Sequence, residues 1–138
     1  MKIKRIAHIG VAVADVGEVE KVYTEKLGLG GVNRETLDWM QLEVAFVPIG
    51  QTNIELVQST AEGGVMKKYI EKKGEGIHHI ALEVDDVVAA TEELKARGVR
   101  MVHDVPQKGA HGALINFLHP KETHGVFIEL CQYPEGEH

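Results

Sequence analysis

Residues 76–87 read Gly76-Ile77-His78-His79-Ile80-Ala81-Leu82-Glu83-Val84-Asp85-Asp86-Val87, and they echo an earlier stretch, Arg5-Ile6-Ala7-His8-Ile9-Gly10-Val11-Ala12-Val13-Ala14-Asp15-Val16. Aligning His8 with His79 is a shift of 71 residues, and five of the ten positions from Ala7 to Val16 are then identical. Self-similarity at a fixed spacing is typical of repeated structural units. The sequence therefore predicts two related halves.

A second echo adds a carboxylate to each half. Ile54-Glu55-Leu56-Val57-Gln58 recurs as Ile128-Glu129-Leu130-Cys131-Gln132, at a shift of 74 residues. A histidine therefore opens each half and a glutamate closes it. Four such side chains brought together form a metal site.

Length and composition are those of a small globular protein. The chain has 138 residues, of which 43% are hydrophobic and 26% charged. These values predict a single domain over residues 1–138, with a first module at about 1–60, a linker helix at about 61–75 and a second module at about 76–134.

Charge and hydropathy limit the partners. The net charge of −6 argues against non-specific nucleic-acid binding. The apolar runs are too short to span a bilayer, and a signal or transit segment does not precede the first strand. We therefore expect a cytoplasmic protein without nucleic-acid or membrane partners.

Periodicity and turn residues predict the same order of elements in both halves, β-α-β-β-β. The first half is expected to have a strand in Lys2–Val13, a helix from the N-cap Asp15 to Gly28, and strands near Val32–Thr36, Gln41–Pro48 and Thr52–Gln58. A short linker helix closed by Gly74 leads to the second half. That half is expected to have a strand at Ile77–Val84, a helix near Asp86–Arg97, and strands near Val99–His103, Ala113–Leu118 and Gly125–Cys131.

Two such units in tandem predict an α+β fold. Neither unit can bury a full core alone, so we expect them to pair. Their strands would then form one curved, open, mixed sheet around a metal-binding cleft, with alternate side chains of each strand lining the cleft.

The two histidines lie on equivalent strand faces. Alternate residues of a strand share a face, so His8 lies with Gly10, and His79 with Ala81. The opposite faces carry Ile, Leu and Val and are expected to face the core. Both imidazoles should therefore point away from the core, next to small residues.

Glu55 and Glu129 also alternate with Ile and Leu, so each points away from the core face. A single glutamate in such a pattern is ordinarily a solvated residue. The same residue type at the same strand phase in both halves favours a shared function. Two imidazole nitrogens and two carboxylate oxygens suit a first-row divalent ion such as cobalt, nickel, manganese or zinc.

Five motifs spread over nearly the whole chain resemble one known family: His8-Ile9-Gly10-Val11-Ala12-Val13, Gly74-Glu75-Gly76-Ile77-His78-His79-Ile80-Ala81, Gly109-Ala110-His111-Gly112, Phe117-Leu118-His119-Pro120-Lys121 and Gly125-Val126-Phe127-Ile128-Glu129-Leu130. Together they resemble the vicinal oxygen chelate, or glyoxalase, superfamily, and within it the methylmalonyl-CoA epimerases. The first motif is common in the superfamily, whereas the run from Gly74 to Ala81 is more specific.

The resemblance implies metal ligation by His8, Glu55, His79 and Glu129, with Glu129 also acting as a catalytic base. It implies an isomerase of propionate metabolism that interconverts (R)- and (S)-methylmalonyl-CoA through a divalent-metal-stabilised enolate. The metal it implies is Co2+, with Ni2+, Mn2+, Zn2+ or Mg2+ as alternatives. The implied partners are an acyl-CoA substrate and a second copy of the chain in a homodimer.

The second catalytic base is where the sequence departs from this family. Relatives often carry a carboxylate just before the central strand of the first half, and a gap-free match places Trp39 there. Asp38 is one residue away. Glu43 lies four residues further on, roughly 13 Å along a strand but on the same face as that position. We therefore expect Glu43 to be the second base.

Three alternatives stay open from the sequence. A glyoxalase-I-like isomerase uses a similar His and Glu set on a glutathione hemithioacetal. A related 2-acyl-CoA epimerase would share the mechanism but not the acyl group. A non-catalytic binding module of the same superfamily would generally lack the four ligands.

Overall fold

The computed structural model describes residues 1–135, which form two compact units. The N-terminal unit is His8–His78, and the C-terminal unit combines Met1–Ala7 with the chain from His79 onward. Within the described residues, every helix is too short or too polar to cross a membrane. That the whole chain forms a single domain stays a prediction.

The N-terminal unit has the predicted β-α-β-β-β order followed by the linker helix. Its elements are β1 (Ile3–Ala12, which begins in the C-terminal unit), α1 (Val16–Lys21), β2 (Asn33–Leu37), β3 (Leu42–Ile49), β4 (Thr52–Ser59) and α2 (Val65–Lys73). A π-helical turn extends α1 over Val22–Lys26, and a 3-10 turn at Asp38–Met40 joins β2 to β3. The strand order is β2-β3-β4-β1, with β1 parallel to β4 and the other neighbours antiparallel.

Helix α1 covers one face of this part of the sheet. Asp15 caps the helix by accepting a hydrogen bond from the backbone N–H of Glu18 at 3.2 Å. Val16 of the helix is buried against Ala45 and Leu56 of the strands. The predicted apolar strand face is therefore the core face, and the opposite face carries His8 and Glu55.

The C-terminal unit repeats the arrangement. Its elements are β5 (Gly76–Val84, which begins in the N-terminal unit), α3 (Val87–Ala96), β6 (Gln107–Lys108), β7 (Leu114–Phe117) and β8 (Ile128–Gln132), in the strand order β5-β8-β7-β6. Strand β8 is parallel to β5 and antiparallel to β7. The start of β1 also belongs here, since the backbone N–H of Asp85 donates to the carbonyl of Lys2 at 3.2 Å.

Helix α3 covers the equivalent face of this unit. Asp86 caps it through the backbone N–H of Ala89, at 3.0 Å. Val87 and Leu94 of the helix pack with Val84 and Leu130 of the strands. In both units the helix therefore buries the Ile, Leu and Val side of the strand that carries the histidine.

One predicted strand is wrong. Val99–His103 is irregular backbone apart from a single bridge between Met101 and Leu118. The buried amide of Asn116 replaces the expected ladder: its Oδ1 accepts from the backbone N–H of His103 at 3.0 Å, and its Nδ2 donates to the His103 carbonyl at 2.9 Å. The edge strand forms later, at Gln107–Lys108.

Asn116→Ala should destabilise the protein by about 3 kcal/mol, because it leaves half-buried backbone groups of His103 and Phe117 without the hydrogen bonds that the amide now provides. Urea denaturation measures the free energy of unfolding. Leu114→Ala on the same strand is the control and should cost less than about 1 kcal/mol, since Leu114 is 39% exposed. Equal losses in the two variants would contradict the role given to the amide.

Candidate metal ligands

The N-terminal unit brings together its predicted histidine and glutamate. Strands β1 and β4 pair in parallel with Gly10 opposite Glu55, so the carboxylate lies two residues beyond His8 on the same face. The Nδ1 atom of His8 is 2.9 Å from Oε2 of Glu55, and the two side chains are only 6% and 10% exposed. Gly10 has no side chain to fill the space between them.

The C-terminal unit forms a second pair in the same way. Ala81 of β5 lies opposite Glu129 of β8, again two residues beyond the histidine. The Nε2 atom of His79 is 3.2 Å from Oε1 of Glu129, and both side chains are less than a tenth exposed. The register that joins imidazole to carboxylate is thus identical in the two units.

Each pair offers one nitrogen and one oxygen donor in a buried setting. An ionised carboxylate removed from water costs several kcal/mol, roughly, unless a positive charge or strong hydrogen bonds compensate. A neutral imidazole supplies a donor or a ligand atom but no charge. The chemistry of the two pairs therefore fits a divalent cation with mixed nitrogen and oxygen ligands.

A phenylalanine accompanies each glutamate, and the sequence reasoning missed both. Phe46 lies directly opposite Glu55 across β3 and β4, and Phe117 lies opposite Glu129 across β7 and β8. The ring of Phe117 meets the ring of His79 edge-on at 6.3 Å and stacks on Phe127 at 4.6 Å. Phe46 and Phe117 are 71 residues apart, the shift that relates the two histidines, and that offset is the signal that could have found them.

Glu83 is a further buried carboxylate on the strand face of His79. It is 2% exposed, and its charge is compensated by Nε of Arg5 at 2.6 Å and Nζ of Lys4 at 3.7 Å. Arg5 also lies over the ring of Tyr133, 5.9 Å from its centroid. Cationic side chains of the protein itself therefore compensate this carboxylate.

Glu43, the predicted second base, lies on the other side of the sheet from Glu55. Phe46 is the residue opposite Glu55, and Glu43 is three positions from Phe46, so its side chain projects from the opposite face. Its Oε1 accepts from NH1 of Arg34 at 3.2 Å. Burial lowers the pKa of Arg34, but hydrogen bonds to Glu20 and Glu43 outweigh it and raise that pKa. That Glu43 is the second catalytic base stays a prediction.

The neighbouring candidates Asp38 and Trp39, unlike Glu43, lie outside a strand. Asp38 and Trp39 form a 3-10 turn, in which Trp39 is 54% exposed. Gln41 ends that turn in the left-handed region, with φ of 54°. The strand phase counted from Trp39 to Glu43 therefore does not hold, because the turn interrupts it.

Comparison with known proteins agrees with the sequence resemblance. The sequence profile of the Glyoxalase/Bleomycin resistance protein/Dioxygenase superfamily matches residues 7–117. The chain belongs to this superfamily. The predicted α+β fold of the glyoxalase, or vicinal oxygen chelate, type is thereby confirmed.

Within the superfamily, methylmalonyl-CoA epimerases are similar over nearly the full chain. The ethylmalonyl-CoA/methylmalonyl-CoA epimerase of Cereibacter sphaeroides is 37% identical, over 94% of this chain and 98% of that protein. A solved structure of methylmalonyl-CoA epimerase with methylmalonyl-CoA and NH4+ is 33% identical and matches with a TM-score of 0.92, covering 99% of both chains. A variant of the Streptomyces coelicolor enzyme with 2-nitronate-propionyl-CoA has the same identity of 33%, coverage of 99% of both chains and TM-score of 0.92.

Glu55 on β4 and Glu43 on β3 project from opposite faces of the sheet, so replacing each in turn is a matched test of the proposed metal ligands. Glu55→Ala should weaken Co2+ binding by more than about tenfold, the lower end of what losing even an outer-sphere partner costs. Glu43→Ala should change the affinity less than twofold, about 0.4 kcal/mol. Calorimetric titration of both variants measures the difference. A Glu43→Ala protein that binds the ion as poorly as Glu55→Ala would refute the assignment.

Proposed function

We propose that the chain is an isomerase that interconverts (R)- and (S)-methylmalonyl-CoA by removing and returning the proton at C2. The observation that supports it most directly is the pair of buried His–Glu contacts, His8 with Glu55 and His79 with Glu129, formed at one register in both units. The names of the similar proteins add the substrate class.

The metal is part of the proposal. His8, Glu55, His79 and Glu129 together would hold one divalent ion, with Co2+ as the first choice and Ni2+, Mn2+, Zn2+ or Mg2+ as alternatives. Glu55 and Glu129 are buried carboxylates, and a bound cation would compensate their charge. When bound, such an ion stabilises negative charge on the thioester oxygen as a Lewis acid.

Glu129 is proposed to move the proton. One carboxylate oxygen takes the proton from C2, the C–H electron pair forms the C1–C2 double bond, and the thioester C=O pair moves onto oxygen to give an enolate. A second acid then donates a proton to the other face of C2, and Glu43 is the candidate that the sequence offers for it. The mismatch between a carbon acid and a carboxylate is large, and each pKa unit costs about 1.4 kcal/mol. Glu129 is buried, and Phe117 lies directly opposite it across β7 and β8.

The substrate, location and assembly are proposed at different levels of detail. An acyl-CoA with an acidic C2 proton follows from the epimerase relatives, and ethylmalonyl-CoA is the related alternative because the Cereibacter sphaeroides protein is named for both substrates. The cytoplasmic location, the homodimer and the place in propionate metabolism are proposed from the sequence and the family resemblance.

Glu129→Gln should slow C2 deuterium exchange about a thousandfold, within the range for loss of a general base. The amide oxygen can still serve as a metal ligand, so Co2+ binding should be largely retained. The measurement is NMR of one methylmalonyl-CoA enantiomer in deuterated water with Co2+-loaded protein. Glu71→Gln, an exposed position on α2, is the control and should exchange like the original protein. Full exchange by Glu129→Gln would contradict the base assignment.

A second arm of the same experiment separates the alternatives. Co2+-loaded protein is incubated with methylglyoxal and glutathione, and formation of the thioester product is followed by absorbance. The proposal expects exchange on methylmalonyl-CoA and a negligible rate on the hemithioacetal. The reverse result would identify a glyoxalase-I-like isomerase, and inactivity in both assays would favour a binding module.

A further inference from the structure

Each glutamate of the His–Glu pairs is followed three residues later by a glutamine, Gln58 after Glu55 and Gln132 after Glu129. The Oε1 atom of Gln58 accepts a hydrogen bond from the backbone N–H of Val16 at 2.8 Å. The Oε1 atom of Gln132 accepts one from the backbone N–H of Val87, also at 2.8 Å. The two bonds span 42 and 45 residues of sequence, so neither is a local turn contact.

Val16 and Val87 are the first residues of α1 and α3, the helices that follow the histidine-bearing strands. The first N–H groups of a helix have no intrahelical acceptor. The N-cap aspartates satisfy the N–H groups of Glu18 and Ala89, further along the first turn. The glutamines accept from the first N–H group of each helix, that of Val16 or Val87. Each glutamine bond thereby links the glutamate-bearing strand to the start of the helix that follows the histidine-bearing strand.

This connection matters for the register of the two parallel strand pairs. The His–Glu contacts require Gly10 opposite Glu55 and Ala81 opposite Glu129. If one strand of a pair slipped by two residues against the other, every side chain would stay on its face and most ladder hydrogen bonds would form again. The reason is that side-chain direction and the ladder hydrogen bonds both repeat every two residues along a strand. The same slip would shift the carboxylate by about 6.6 Å along the strand, away from the imidazole. The glutamine bond to a helix terminus occurs once per unit and is lost on such a slip.

We infer that Gln58 and Gln132 are positioning residues for the His–Glu pairs, each fixing the strand register that holds the carboxylate against the imidazole. The inference rests on the proposed metal-dependent function, because the quantity it governs is the spacing of the metal ligands. Neither glutamine shares a strand face with its glutamate, so each acts through the backbone rather than by touching the ion.

The experiment compares replacements that differ in one property. Gln58→Met and Gln132→Met keep most of the side-chain volume and remove the strong acceptor, whereas Gln58→Glu and Gln132→Glu keep an oxygen at the same distance. Co2+ affinity is measured by calorimetry, and ligand geometry by the visible d–d spectrum of bound Co2+. Each methionine variant should raise the Kd about tenfold, as outer-sphere partners of metal ligands do, and alter the spectrum. Each glutamate variant should restore both.

Ser59→Ala is the matched control. Ser59 follows Gln58 on β4, and its Oγ accepts from the backbone N–H of Met66 at 2.9 Å, near the start of α2. It is the same kind of bond, but α2 does not follow a histidine-bearing strand. Ser59→Ala should lower the Tm and leave the Kd for Co2+ within twofold.

The outcomes separate this inference from the proposed function. Methionine variants that lose Tm but bind Co2+ with unchanged Kd and spectrum would overturn the positioning role while leaving the proposed function intact. A Ser59→Ala protein that loses affinity as much as they do would overturn it too, since general destabilisation would then explain the effect. If the unmodified protein binds no Co2+, Ni2+, Mn2+, Zn2+ or Mg2+, the proposed function fails, and the inference with it.

Discussion

Parallel pairing of a histidine-bearing strand with a glutamate-bearing strand is the constraint on which the candidate site depends. In both units the glutamate lies opposite the residue two places after the histidine, Gly10 in one and Ala81 in the other. Adjacent parallel strands need a crossover between them, and here the crossover includes the helix that buries the apolar strand face. One topological unit therefore orients the face, sets the register and brings the two donors within 2.9 Å and 3.2 Å of each other.

This arrangement lowers the stability of each unit rather than raising it. A carboxylate buried beside an imidazole is less favourable than a well-packed apolar pair of similar volume. Glu83 shows the alternative, since Arg5 and Lys4 compensate its charge within the protein. Glu55 and Glu129 are instead each paired with an imidazole, at 2.9 Å and 3.2 Å. Repetition of this cost in both units argues for selection on binding rather than on folding.

The sequence predicted the parts of the molecule that are periodic or repeated. Strand alternation and helix stop signals located β1, β4, β5 and the three helices, and duplication singled out the His and Glu residues. The strand predicted at Val99–His103 failed because of side-chain bonds that carry no period, those of Asn116 to the backbone of His103. The strand phase counted from Trp39 failed because a 3-10 turn at Asp38–Met40 interrupts the strand. The bond of Gln58 to the backbone of Val16 was not predicted either, because a contact across 42 residues leaves no local pattern in the sequence.

Duplication extends beyond the candidate ligands to the turns before the phenylalanine-bearing strands, but it is incomplete there. A 3-10 turn precedes the phenylalanine-bearing strand in each unit, at Asp38–Met40 and at Ala110–Gly112. At the 71-residue shift, left-handed Gln41 (φ 54°) corresponds to left-handed Gly112 (φ 71°). Left-handed His111 (φ 57°) corresponds to Met40, which is not left-handed, so the backbone of the turn repeats only in part. A bulkier residue held in a conformation that glycine adopts freely costs stability. The left-handed position therefore recurs in both units, but glycine relieves its backbone strain only in the C-terminal one.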